Sequence, residues 1–227
     1  MKKLCLTILA LFAVAIYVNA KDAPAPSAAT VLAAMKAGNQ RHVSAKYTHP
    51  HENATYRQGL SAGQHPQVSV LTCADSRVAP EIIFDQGLGD VFDVRVAGNV
   101  AGNDEIASLE YAAEHLHTPV IVVMGHQKCG AVSAAVEAKP GGEAAGHLSA
   151  LLTPISSAVE KAKKLQGDVV ENAVRINVEN VVEELRTSKP ILSELVSEGK
   201  LTIVGAVYSL DTGKVTWLSE SAPQTAK

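Results

Sequence analysis

The sequence predicts an α/β domain: a mainly parallel β-sheet flanked by helices, preceded by an N-terminal helical arm. Three observations carry this expectation. Short β-branched and apolar runs alternate along the chain with segments of helical periodicity, the order that parallel pairing with right-handed crossovers produces. The run from Pro119 to Met124 is almost wholly apolar, as a strand covered on both faces must be. The 227 residues suffice for one sizeable core, and no composition break after residue 60 marks another domain.

The elements follow in order. Lys2 and Lys3 precede an almost continuous apolar stretch, Leu4 to Val18, and Val18-Asn19-Ala20 sets small residues at the −3 and −1 positions. This pattern predicts a signal peptide over residues 1–20, cleaved after Ala20, and hence an exported, periplasmic protein. An uncleaved anchor is the alternative, though the run is short for a span. Residues 21–60 read as leader and arm: a helix begins near Ser27, with Val31, Leu32, Met35, His42 and Val43 on one face, and a polar loop covers His49 to His65. Residues 61–227 read as the α/β domain. Strands are predicted at Gln67–Cys73, Val91–Ala97, Pro119–Met124, Leu201–Tyr208 and Val215–Leu218. Helices are predicted at Pro80–Gln86, from an N-cap at Asn103 through Leu116, and at Gly130–Glu137, His147–Lys164, Asp168–Thr187 and Pro190–Glu198.

Charge excludes little. The chain has 20 basic and 23 acidic side chains, a net −3; losing Lys2 and Lys3 on cleavage leaves 18 basic side chains and a net −5. A mildly acidic surface argues against nucleic-acid binding. Cleavage also removes Cys5, leaving Cys73 and Cys129. In an exported chain these two are candidates for a disulfide, for buried thiols, or for metal ligands.

Their surroundings favour a metal. Cys73 ends the first predicted strand in Cys73-Ala74-Asp75-Ser76-Arg77, and an extended segment would turn residues 73, 75 and 77 to one side. His126 and Cys129 follow the third strand in Gly125-His126-Gln127-Lys128-Cys129-Gly130. Both groups then lie at the carboxyl ends of parallel strands, where open α/β sheets place their sites. Two thiolates and an imidazole suit Zn²⁺, and three ligands leave the fourth tetrahedral position to water or to Asp75.

With Arg95-Val96-Ala97-Gly98-Asn99 between them, the Cys-x-Asp-x-Arg and His-x-x-Cys-Gly segments closely resemble those of the β-class carbonic anhydrases. The resemblance runs from Gly38-Asn39 through Glu171-Asn172-Ala173-Val174-Arg175-Ile176-Asn177-Val178 to Asp211-Thr212-Gly213-Lys214-Val215. It implies zinc-dependent reversible hydration of carbon dioxide to bicarbonate by zinc-bound hydroxide. Cys73, His126 and Cys129 would be ligands, with Asp75 and Arg77 catalytic. It also implies a closed form in which Asp75, released by Arg77, becomes a fourth ligand. Assembly as a homodimer or homotetramer is implied too, the N-terminal arm wrapping the neighbour, with no membrane contact after signal cleavage.

Two positions depart from that pattern. Plant-type members have a substrate-holding glutamine two residues before the glycine matching Gly89, where this chain has Gly87. Members inhibited by a second bicarbonate have a tryptophan where this chain has Val70, and the only tryptophan here is Trp217; the second site is therefore expected to be absent and the open form favoured. The other histidines read as non-ligands: His49, His51 and His65 in the polar arm, His115 and His117 two apart on a helix, His147 at a helix start. Tyr111 reads as packing. Three rivals stay open: hydrolysis of carbon disulfide or carbonyl sulfide on the same fold, a non-catalytic zinc or bicarbonate binder, and a redox protein using the two cysteines.

Overall fold

The computed structural model describes residues 26–138 and 146–218. The predicted signal peptide and its cleavage site lie outside the described residues. Five strands form one sheet in the order β2-β1-β3-β4-β5, with β1 at Val68–Thr72, β2 at Val91–Arg95, β3 at Val120–His126, β4 at Thr202–Tyr208 and β5 at Val215–Trp217. β1 to β4 run parallel and β5 is antiparallel to β4. The strands predicted from sequence are all present, each trimmed or shifted by a residue or two. β3 is buried at every position, as its unbroken apolar run requires.

α1 (Ala28–Val43) starts where Ser27 caps it, the Ser27 hydroxyl accepting the Thr30 N–H. Val31, Leu32 and Met35 pack on one face of the sheet with Val68, Val70, Val122 and Val204. Gly38 lets α1 approach α3 (Pro80–Ile83) closely: a Cβ there would stand 1.8 Å from the Phe84 carbonyl oxygen. Asn39 beside it is buried and accepts the Val215 N–H at 2.9 Å while donating to the carbonyls of Gly213 and Ile83. The pair Gly38-Asn39 thus joins α1 to α3 and to β5. Val43 departs from expectation at 49 % exposed, because the chain leaves the sheet at the last turn of α1.

The opposite face is covered by α4 (Asn103–Glu114), α7 (Val169–Thr187) and α8 (Ile191–Ser197), which bury Leu109, Val178, Val182, Leu185 and Leu192 against Leu71, Ile121, Val123 and Ile203. α5 (Gly130–Glu137) and α6 (Ser149–Ala162) pack against the start of α7 and enclose Cys73 and Cys129 in a third cluster. α4 ends at Glu114, so His115 and His117 lie in the turn before β3, with His117 at φ 58°, and not on the helix. His147 sits in a 3₁₀ turn, Gly146–Leu148, ahead of α6.

The arm is more ordered than its polarity suggests. Asn53 caps a short helix, α2 (Ala54–Gly59), followed by a 3₁₀ turn at Leu60–Ala62. No residue of α2 is buried, so no apolar periodicity announces it. Two acids fasten this segment. Asp85 ion-pairs with Arg41 and accepts the Thr48 N–H and hydroxyl and the His49 N–H. Asp90 accepts from the His51 ring and from the Gly87 N–H, each at 2.8 Å. The His51 ring stacks on Tyr56 with centroids 4.0 Å apart.

Burial pushes the Asp85 carboxyl up, but the hydrogen bonds from Arg41, Thr48 and His49 outweigh it and hold it well below the usual carboxylate range. The stabilisation is therefore present above the unfolded value, about 3.9, and is lost as pH falls toward the depressed folded value. Asp85→Asn is expected to cost about 3 kcal/mol at neutral pH. Denaturant melts of the two proteins should converge as the pH drops below about 4; a gap that stays constant with pH would show that the carboxylate charge contributes nothing.

Candidate metal centre

Parallel pairing aligns the carboxyl ends of β1 and β3, and with them the residues that follow each strand. Cys73 succeeds β1, His126 closes β3, and Cys129 caps α5 one turn later. All three are buried. Their donor atoms lie within 4.8 Å of one another, and among the described residues they form the one such group.

The donor chemistry fits a metal on two independent counts. His126 Nδ1 lies 2.9 Å from the Gln127 carbonyl oxygen, which can only accept, so Nδ1 carries the proton and Nε2 presents a lone pair. That Nε2 is buried and has no hydrogen-bond partner, a costly state unless an electrophile occupies the space before it. The thiols are free, with Sγ atoms 4.0 Å apart. A disulfide needs about 2.05 Å, whereas two sulfurs on one tetrahedral zinc stand about 3.8 Å apart. The two thiols are not joined in this structure, and their spacing matches shared ligation of one metal.

Asp75 and Arg77 reach this rim by a different route from the one the sequence implied. β1 stops at Thr72 and the segment is not extended. Instead the Val78 N–H donates to the Asp75 carbonyl at 3.0 Å, and the Arg77 N–H to Asp75 Oδ1 at 3.0 Å. The turn brings the guanidinium round to its own neighbour: Arg77 Nε donates to Asp75 Oδ1 at 2.9 Å and Nη2 to Oδ2 at 2.7 Å. Arg77 holds the Asp75 carboxyl well below the usual range. Asp75 Oδ2 stands 3.8 Å from His126 Nε2 and is outside the three-donor group.

Several contacts went unread in the sequence. Arg95, at the end of β2, donates to the carbonyls of Cys73 (3.3 Å) and Asp75 (2.7 Å). The Gly98 N–H donates to Cys73 Sγ at 3.3 Å. Lys128 adopts φ 54°, and its N–H is held by Glu171 at 3.1 Å. The motifs around Arg95 and Glu171 were visible, but only their approach to Cys73 and Lys128 assigns them work. The hydrogen bond from Cys129 pulls the Cys73 thiol down against burial, aided by the Gly98 N–H.

Two expectations are corrected. Gly87 precedes β2, hydrogen-bonded to Asp90 near the amino ends of the strands, the opposite edge from the donor group. Within this chain, residue 87 does not approach the donor group. Tyr111 is not packed inside: it is 48 % exposed on α4, its ring 6.3 Å from that of Phe92. His49 and His65 are exposed as expected.

Comparison with known proteins agrees with this geometry. A family model described as carbonic anhydrase matches residues 68–215. Carbonic anhydrase 2 of Mycobacterium tuberculosis is 41% identical over 182 residues, covering 80% of this chain and 88% of the relative. The carbonic anhydrase of Mycolicibacterium smegmatis is 37% identical over 183 residues, covering 80% and 89%. Among solved structures, a tetrameric β-carbonic anhydrase of Sordaria macrospora superposes with TM-score 0.66 at 26% identity, over 81% of this chain and 91% of that one. A Coccomyxa β-carbonic anhydrase in complex with acetazolamide gives 0.67 at 33% identity, over 73% and 78%. With its strand order, its Cys-His-Cys group and these relatives in agreement, the chain belongs to the carbonic anhydrase family, in the β class.

Proposed function

We propose that this protein is an exported zinc enzyme interconverting carbon dioxide with bicarbonate and a proton, with Cys73, His126 and Cys129 as the protein ligands of the metal. The observation that carries the proposal is the buried, unpartnered Nε2 of His126 beside two free thiols. Zinc, when bound, supplies the Lewis acidity that makes hydroxide available from water near neutral pH. Residues 61–227 carry the chemistry in this reading, and the family match falls within them.

The chain's own groups do the rest. Arg77 keeps Asp75 ionised throughout the neutral range, so Asp75 is a standing hydrogen-bond acceptor that orients a hydroxyl group and not a proton store. The same fork withholds Asp75 from the metal: the carboxylate ligates only by leaving Arg77, which defines the closed form. The observed bidentate pair favours the open form. Val70, 0% exposed among Val68 and Val122, sits in packed core where inhibited members have a tryptophan. This supports the absence of a second bicarbonate site.

Export rests on Lys2, Lys3, the apolar run Leu4–Val18 and Val18-Asn19-Ala20. Among the described residues no helix is long and apolar enough to cross a membrane. Assembly as a homodimer or homotetramer follows the tetrameric relative, with the arm of residues 21–60 against the neighbour.

Stopped-flow hydration beside a sulfide-release assay, on protein of measured zinc content, tests the reaction. One zinc per chain and rapid carbon dioxide hydration are expected; sulfide release from carbon disulfide without hydration overturns the reading. Asp75→Asn should keep its zinc and lose roughly 10- to 100-fold in kcat. Arg77→Ala should also lose activity, and adding it to Asp75→Asn should cost little more, since the two residues act as one unit. Bicarbonate titration should give simple, non-cooperative inhibition. Mass spectrometry of the periplasmic fraction should find a mature chain beginning at Lys21; an intact Met1 would point to an anchor.

A further inference from the structure

Two thiolate ligands cancel the charge of a divalent metal, so the acidity it confers depends on what draws electron density off the sulfurs. Cys129 meets this need through its place in the fold. It caps α5, where the first-turn N–H groups lack intrahelical partners and the helix N-terminus favours a thiolate. Cys73 has no helix behind it. Its sulfur receives the Gly98 N–H at 3.3 Å, from a 3₁₀ segment (Ala97–Asn99) between β2 and α4.

Gly98 stands at φ 76°, ψ 12°, a conformation that favours glycine and that no repeating hydrogen-bond ladder maintains. A Cβ there would meet Ile155 Cδ1 at 2.7 Å. One side chain restrains this residue from outside its segment. Asn177, 2% exposed on α7, donates from Nδ2 to the Gly98 carbonyl oxygen at 2.9 Å. The carbonyl and the N–H of Gly98 lie on adjacent peptide planes hinged at its Cα. Holding the first narrows the range over which the second can swing off the sulfur.

We infer that Asn177 is a positioning residue: through Gly98 it aims an N–H at Cys73 Sγ and so sets the electron density on one of the metal's two thiolates. The inference rests on the metal reading proposed above. Outer partners of this kind, when removed, cost about 10- to 100-fold in metal affinity or activity. The buried amide of Asn177 would then be kept for its direction, which a hydrophobic residue of equal volume cannot supply.

The test loads the full chain with ¹¹³Cd²⁺ and reads hydrogen bonds by NMR. In the unaltered protein the Gly98 amide proton is expected to show scalar coupling to cadmium across the N–H···S bond, and Asn177 Nδ2 to couple to the Gly98 carbonyl carbon. Asn177→Leu should lose the cadmium coupling, move the thiolate-to-cadmium absorption to longer wavelength and weaken zinc binding about 10- to 100-fold. Asn177→Gln, which keeps a donor, should recover part of each change. Absence of either coupling in the unaltered protein overturns the inference, even if Asn177→Leu fails to fold. So does a folded Asn177→Leu with unchanged absorption and affinity. Failure to bind one cadmium per chain with a thiolate band overturns instead the metal reading on which the inference stands.

Discussion

A lone pair sealed inside the protein makes demands on everything near it. His126 Nε2 is buried without a partner, and its tautomer is set by the Gln127 carbonyl on the other side of the ring. Leaving such an acceptor dry costs about 1–3 kcal/mol, a cost that a metal bound there would offset. To bring two thiols to the same point, the fold must end β1 and β3 side by side and start α5 within a turn of β3. The parallel register Thr72↔Met124 does the first. The left-handed residue Lys128, held by Glu171, does the second. Burial of β3 at every position makes that alignment stiff, since a slip of one residue would exchange the side chains packed on its two covered faces.

Two of the costly backbone conformations lie at the same edge. Lys128 at φ 54° and Asn99 at φ 45° are non-glycine residues in the left-handed region, where each costs of the order of 1–3 kcal/mol. Lys128, held by Glu171, lies between His126 and Cys129, and Asn99 follows the glycine whose N–H meets Cys73.

Acids in this chain act chiefly as ionised anchors for backbone and arginine. Asp85 and Asp90 fasten the arm at the amino end of the sheet. Asp75 works at the carboxyl end with its own turn and Arg77. The two settings differ in exposure and location. Asp85 is enclosed by the donors it satisfies, while Asp75 keeps open lone pairs beside the metal donors.

Much of this was legible in the sequence by itself. The apolar run of β3, the helix start near Ser27 and the alternation of strand and helix are local signals, and local physics read them. Cys73, His126 and Cys129 could be grouped because parallel strands bring their carboxyl ends to one edge whatever the details. Only the tertiary structure decided how the groups meet. Asp75 and Arg77 meet through a turn that strand alternation does not describe. Gly87, which looked like a gap in the site, lies at the far edge of the sheet. Arg95, Asn177 and Glu171 act on residues distant in sequence, through carbonyls and N–H groups that every residue possesses. A side chain's chemistry is written in its identity, but which backbone group it will meet depends on the packing of the whole chain.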